Sequence, residues 1–261
     1  MTSSGKAAVI TGAAQGIGEA AALRLAREGV ERFLLIDRRA EELALVADEL
    51  RRRGAQAEAL VLDLADIGSV LGKGRDALAR LGPVDVLVNA AGTTARGGLA
   101  DTTPELFDLI FALNVRAPFF LMQMAAPAMP RGGVIVNICS MLAYGGPPFL
   151  LAYSASKAAL AALTRGTANS VKRDGVRVFG INLGWTVTPG EREVQTKVHG
   201  LGEDWAEEIG RRQPFGRLLT PDDPAGLIAF LASTDAAMMT GAVIDLDQFV
   251  AGTVDDNPGA R

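Results

Sequence analysis

The chain of 261 residues is predicted to fold as a single α/β domain, a doubly wound parallel sheet of about seven strands. Three observations carry that expectation. Short apolar runs alternate with longer amphipathic stretches from end to end, the order expected of repeated strand–helix units. Some of the runs, 84–89 above all, are near-continuously apolar, as parallel strands covered on both faces are. A glycine-rich turn follows the first run directly, where a strand hands over to a helix.

Taken in order, 6–11 is the first strand. The first helix, 16–28, has Ala20, Leu23, Leu25 and Ala26 as its apolar positions and Gly29 as its stop. The second strand is 32–37, and the amphipathic helix 40–53 ends at Gly54. Residues 59–63 read as the third strand, 67–81 as the next helix and 84–89 as the fourth strand. A helix follows Pro104. Then come strand 133–139, helix 152–173, strand 176–182, a helix over 221–232 with a proline-containing start, and a last strand over 242–246. Two stretches break the alternation. Residues 184–215 are long and polar with weak periodicity, on the side where strand C-termini open, and so form a candidate substrate lid. The tail, 251–261, is polar and is expected to fray or drape over a surface.

Composition excludes several function classes. A net charge of −4 and 5% aromatic residues argue against a nucleic-acid surface, and the charge also argues against an anionic membrane. The N-terminal residues lack a basic segment followed by an apolar core, so no signal peptide is expected. The longest apolar stretch, 118–129, is interrupted by Gln123 and is judged too short to span a bilayer. Cys139 is the sole cysteine. It has no intrachain disulfide partner and fits a reducing, cytoplasmic compartment, as a small buried hydrophobe at a strand end. His199, the only histidine, has no second histidine or cysteine near it, so no metal site is expected.

The turn reads Thr11-Gly12-Ala13-Ala14-Gln15-Gly16-Ile17-Gly18. Glycines at such a junction let the backbone approach a pyrophosphate, and the helix N-terminus behind them favours its charge. Asp37 closes the second strand about twenty residues on, where a carboxylate accepts hydrogen bonds from ribose hydroxyls and repels a 2′-phosphate. That favours NAD over NADP. Arg38 and Arg39 pull the other way, because guanidinium suits phosphate.

Tyr153 and Lys157 stand four apart in a helix-like stretch and share one face. An ammonium beside the phenol is expected to lower its pKa, fitting it for proton transfer to or from an alcohol oxygen. Ser140 ends the strand thirteen residues upstream, placed to donate to the same oxygen. Pro118 gives no N–H to the carbonyl of Asn114. That leaves either a carbonyl free to bind a proton-relaying water or a plain helix kink.

With these landmarks the chain resembles the short-chain dehydrogenase/reductase family over nearly its whole length. The resemblance implies a Rossmann-type sheet and hydride transfer between a substrate carbon and a nicotinamide. It makes Asn114, Ser140, Tyr153 and Lys157 the catalytic tetrad, with Tyr153 and Lys157 also touching cofactor. It assigns the cofactor site to Gly12, Gln15, Gly16, Ile17, Gly18, Asp37, Asp63, Leu64, Asn89, Ala90, Gly92, Gly184, Thr186 and Thr188. Asp63, at the end of the third strand, would hold the adenine amino group. The chain also departs from the family. Ala90 replaces the second Asn of Asn-Asn-Ala-Gly, at the cost of one local hydrogen bond. Asn182-Leu183-Gly184 lacks the usual proline, which is expected to loosen the root of the lid. Asp247-Gln248-Phe249 stands where Asp-Gly-Gly is usual. Neutral Gln15, in a turn where NADP-preferring members often carry a basic residue, again leans towards NAD.

Candidate substrate residues are Met141, Leu142, Tyr144, Phe149 and Trp185, with His199 and Trp205 nearby in sequence; core packing beneath a lid explains the apolar ones equally. The leading expectation is an NAD-dependent dehydrogenase of a small secondary alcohol, a polyol or sugar among the options. An NADPH-dependent carbonyl or 3-oxoacyl reductase and a non-catalytic dinucleotide sensor are the alternatives. The helices around 114–129 and 152–167 are apolar or small on more than one face, which predicts a homodimer or homotetramer.

Overall fold

The computed structural model describes residues 5–253. Seven parallel strands form one sheet in the order β3-β2-β1-β4-β5-β6-β7. They are β1 (Ala7–Thr11), β2 (Arg32–Asp37), β3 (Gln56–Val61), β4 (Val86–Asn89), β5 (Val134–Ile138), β6 (Arg177–Leu183) and β7 (Val243–Leu246). Strand order reverses between β1 and β4, and the crevice outside their C-terminal ends is where such sheets take ligands.

Side-chain alternation along each strand divides the core in two. Ala8 and Ile10 of β1 and Phe33 and Leu35 of β2 join α1 (Gly16–Arg27), α2 (Ala40–Arg52) and α10 (Asp222–Ala232) on one face. Val9, Leu34 and Ile36 point the other way. They pack with α4 (Arg75–Leu81), α6 (Ala117–Ala125) and part of α7 (Leu151–Val171). Both faces of the central strands are therefore covered, and this explains their uninterrupted apolar sequence.

Three expectations need correction. The third strand runs Gln56–Val61, not 59–63. It is an edge strand with half-exposed side chains, so Gln56 and Glu58 pair with Arg32 and Leu34 despite their polarity. Asp63 consequently lies two residues past the strand. The helix expected over 67–81 is α3 (Ile67–Ser69) and α4 joined by a π-helical turn at Val70–Gly74. The helix after Pro104 is longer than the apolar stretch suggested. It comprises α5 (Pro104–Phe111), a π-helical turn at Ala112–Arg116, α6 and a final 3₁₀ turn. By length and composition alone, Pro104–Ala128 is long and apolar enough to cross a membrane. Here it packs on the sheet through Ala117, Leu121, Met122 and Ala125.

Segment 184–215 holds α8 (Pro189–Glu193), a π-helical turn and α9 (Trp205–Gly210). Its root is tied across by backbone hydrogen bonds although the usual proline is missing. Val187 N donates to Leu219 O (2.8 Å) and Leu219 N to Trp185 O (3.1 Å). Gln248, where the family has glycine, accepts from Phe215 N (2.7 Å) and donates to Arg217 O (2.6 Å). A side chain at that position thus ties the far end of the segment to the sheet. Of the tail, 254–261 lie outside the described residues; 251–253 form an exposed turn.

Candidate active site

A cleft of about 1040 Å³ opens at the C-terminal edge of the sheet. Its floor at one end is the glycine turn. Gly12 and Gly16 have φ of 66° and 62°, the left-handed region that L side chains avoid. A Cβ on Gly12 would stand 2.8 Å from the amide nitrogen of Ala91, and one on Gly18 would collide with the carbonyl of Gly12. The turn is bound to the end of β4 by Thr11, whose hydroxyl accepts from Ala90 N and Ala91 N, each 3.1 Å. These glycines leave a bare backbone cradle at the start of α1, which suits a diphosphate.

Asp37 is held firmly at the end of β2. One carboxylate oxygen accepts from Ala14 N (3.1 Å), the other from Arg39 N (3.0 Å). Arg38 and Arg39 line the same wall, and the Arg39 guanidinium donates to the Gln15 side chain. Asp63 and Leu64, Ala90 and Gly92, and Gly184, Thr186 and Thr188 also line the cleft, with Gln15, Ile17 and Gly18. Asn89 does not. It is buried and donates to Asn137 Oδ1 (2.8 Å), so its side chain ties two strands together below the cleft.

Ser140, Tyr153 and Lys157 line the cleft on the other side of the switch point. Ser140 follows β5, and its hydroxyl accepts from Leu142 N (3.2 Å). Tyr153 and Lys157 share a face of α7, as their spacing predicts. The expected lowering of the tyrosine pKa is absent, however. Burial pushes the phenol up to about 12, and the Ser140 hydroxyl pulls only part of the way back. Lys157 donates instead to Ile138 O (2.7 Å), with its nitrogen 5.7 Å from the centre of the Tyr153 ring. Burial also draws the lysine itself down to about 8. Desolvation disfavours the charged form of both groups and outweighs their proximity.

Asn114 sits in the π-helical turn just before Pro118, which has no N–H to give the Asn114 carbonyl. Its side chain is buried rather than in the cleft. It accepts from Thr93 N (2.9 Å) and donates to Thr93 O and Ser156 Oγ, each 3.0 Å. Ser156 in turn donates to the carbonyl of Tyr153 (2.6 Å), so Asn114 braces the turn of α7 that carries the phenol.

At the substrate end, Met141, Leu142, Phe149 and Trp185 line the cleft, as does His199. Tyr144 does not; its hydroxyl turns outward to the Asp245 carboxylate (3.1 Å). Trp205 lies beneath Trp185, with ring centres 5.8 Å apart, and is almost wholly buried. Sequence reasoning missed Arg96, whose guanidinium lies 4.8 Å from the centre of the Phe149 ring. Of the polar lid residues Glu191, Glu193, Gln195, Lys197 and His199, which in sequence suit a sugar or polyol as well as a solvated surface, Glu191, Gln195 and His199 line the cleft. A signal for Glu191 existed. Thr188-Pro189-Gly190-Glu191 has the capping-box pattern, and the Thr188 hydroxyl accepts from Glu191 N (3.1 Å). It marks a helix start but not the side chain's turn into the cleft.

A switch-point crevice with a glycine cradle at one end and a serine–tyrosine–lysine group at the other defines an NAD(P)-dependent oxidoreductase of CH–OH and C=O groups. The comparisons agree. The family model described as short chain dehydrogenase matches residues 6–199, and the chain belongs to that family. It is 34% identical over 247 residues to gluconate 5-dehydrogenase of Gluconobacter oxydans, covering 94% of each chain. L-sorbose reductase from Gluconobacter frateurii, solved with NADPH and L-sorbose, superposes with a TM-score of 0.88 at 29% identity, covering 96% of this chain and 98% of that one. A blue fluorescent protein from a metagenomic library, solved with NADPH, gives 0.83 at 34%, covering 93% and 96%.

Proposed function

We propose that the protein is an NAD-preferring dehydrogenase that interconverts a secondary alcohol, a polyol or sugar, and its ketone. The observation that carries this reading is the single cleft joining the Asp37-bounded glycine cradle to Ser140 and Tyr153. Gly12, Gly16 and Gly18 give a diphosphate close approach to backbone amides. Asp37, with both oxygens already oriented, offers remaining acceptor sites to the ribose hydroxyls and opposes a 2′-phosphate. The nicotinamide supplies the hydride acceptor or donor and, when oxidised, a positive charge. Ser140 donates to the substrate oxygen and steadies it. Tyr153 starts protonated, with its pKa near 12, and is set to donate to a ketone oxygen. In the oxidation direction it takes the proton once positive charge in the cleft has brought that pKa down. Lys157 completes the tetrad from Ile138, and Asn114 positions the turn that carries Tyr153.

The NADPH-dependent reductase reading has one specific observation behind it. Arg38 and Arg39 line the cofactor wall, and two structural relatives hold NADPH. A panel of alcohols and sugars with NAD⁺ and NADP⁺, followed by absorbance of the reduced cofactor, decides between them. Turnover of secondary alcohols faster with NAD⁺ supports the reading; absence of turnover with tight cofactor binding revives the dinucleotide sensor. Two further elements belong to the proposal. The protein assembles as a dimer or tetramer through the apolar groove that the helix of α5 and α6 forms with α7, lined by Phe111, Val115, Phe119, Phe120 and Leu163. It works in a reducing, cytoplasmic compartment, where Cys139 stays a buried free thiol.

A further inference from the structure

One fixed charge in the cleft has no task in the reaction described above. Glu191 lines the same cleft as Ser140 and Tyr153, and its charge lies near enough to the phenol to add to the rise in its pKa. Its Oε1 accepts two hydrogen bonds, from Trp185 Nε1 (2.8 Å) and from Gln195 Nε2 (2.7 Å). Both donors are themselves fixed. Gln195 is 6% exposed, and Trp185 stacks on Trp205. Oε2 accepts no hydrogen bond among the described residues. No cation pairs with the carboxylate there either, in contrast to Glu193 two residues on, which pairs with Lys197 (2.8 Å).

A half-buried carboxylate without a cation costs free energy, and two neutral donors on one oxygen offset only part of it. The helix pair of Glu191 with Gln195, at i and i+4, explains why the side chain is held. It does not explain a charge: a neutral amide oxygen would accept the same two bonds. What the charge adds is a second, strongly accepting oxygen in the cleft that holds Ser140 and Tyr153.

We propose that Glu191 determines substrate specificity by accepting a hydrogen bond from a hydroxyl next to the reacting carbon. Vicinal diols and their α-hydroxy ketones are then the preferred substrates, and a carboxylate in that position is rejected. This inference rests on the dehydrogenase reading above. A site built to bond a hydroxyl discriminates strongly against analogues that lack it, because its own buried group is left unpaired. The cleft is open to solvent, so we expect a preference of roughly 100-fold, well below the limit for a sealed site.

The test uses one ring scaffold. The kcat/KM of trans-1,2-cyclohexanediol is compared with those of cyclohexanol, 2-aminocyclohexanol and 2-hydroxycyclohexanecarboxylate, for the wild type, Glu191→Gln and Glu191→Asp. Wild type should prefer the diol to the mono-ol by roughly 100-fold and oxidise the carboxylate worst. Glu191→Gln should bring the diol-to-mono-ol ratio near one and relax rejection of the carboxylate. Glu191→Asp keeps the charge but withdraws it by one methylene, so it should lose the diol preference and keep the rejection. Equal loss on every substrate in Glu191→Gln, with the ratio intact, would mean that Glu191 only props the segment and would overturn the inference. So would wild-type turnover without diol preference, or a preference for the amino alcohol. In each of these cases the dehydrogenase reading survives. No turnover of any alcohol, here or in the broader panel, would remove both.

Discussion

Replacing Lys157 by Met should remove activity and, near neutral pH, relieve the fold of a penalty. The lysine is buried, and its pKa is drawn from 10.5 to about 8. Below the folded value both folded and unfolded chains are protonated, and the fold carries the full cost of a buried ammonium. Between the two values the folded protein releases the proton while the unfolded chain keeps it, so stability rises with pH. Above the unfolded value the rise is complete. The shift corresponds to about 3 kcal/mol, most of it realised by about pH 10. Met fills similar space without a charge and lacks this rise. It also leaves Ile138 O unpaired, a cost of about 1–3 kcal/mol that does not vary with pH. The stability of the wild type minus that of the variant should therefore climb by about 3 kcal/mol from about pH 7 to pH 10–11, whatever its starting value. Urea denaturation followed by circular dichroism at several pH values reads this difference. A difference that stays flat would show that Lys157 is not desolvated as described. A difference that falls with pH would mean that the lysine gains a partner on folding.

Two other perturbations probe the cofactor wall and the assembly. Wild-type kcat/KM should favour NAD⁺ over NADP⁺ by at least about tenfold, since the Asp37 carboxylate and a 2′-phosphate repel at close range. Asp37→Ser should shrink or invert that ratio by leaving Arg38 and Arg39 unopposed; a wild-type preference for NADP⁺ would show that the arginines dominate. Sedimentation at micromolar concentration should show a dimer or tetramer, and Phe119→Asp, at a half-exposed position on the α5–α6 groove, should dissociate it. A wild-type monomer would refute the proposed assembly.

Much of the fold was legible because the physics that sets it is local. Central strands such as Val86–Asn89 and Val134–Ile138 are apolar because both sheet faces are covered, and that pattern survives in one dimension. The edge strand Gln56–Val61 was misplaced because half its side chains face solvent and carry no such pattern. Which residues share the cleft was likewise readable from the glycine turn, Asp37 and the Tyr153–Lys157 spacing. Electrostatics was not. Spacing put the lysine beside the tyrosine, but burial reversed the expected sign of the phenol's shift, and the lysine donates to the Ile138 carbonyl. The turns of Tyr144 towards Asp245 and of Glu191 towards Trp185 were hidden for a related reason. Tyr144 and Asp245 are 101 residues apart and meet only on tertiary folding. Glu191 and Trp185 are six apart, but the direction in which they turn is set by the packing of Trp185 on Trp205.

The central claim is that Tyr153 transfers the proton while the cofactor is held elsewhere in the same cleft. Tyr153→Phe removes one oxygen and keeps the ring that packs in α7. Single-turnover reduction of cofactor by an alcohol substrate, paired with a fluorescence titration of NADH binding, separates chemistry from binding. The account predicts that the rate falls by more than the roughly 10²–10⁴ usual for loss of a general acid–base, because the phenol also orients the substrate, while NADH affinity stays within a few-fold. A variant that keeps a tenth of the wild-type rate would contradict it.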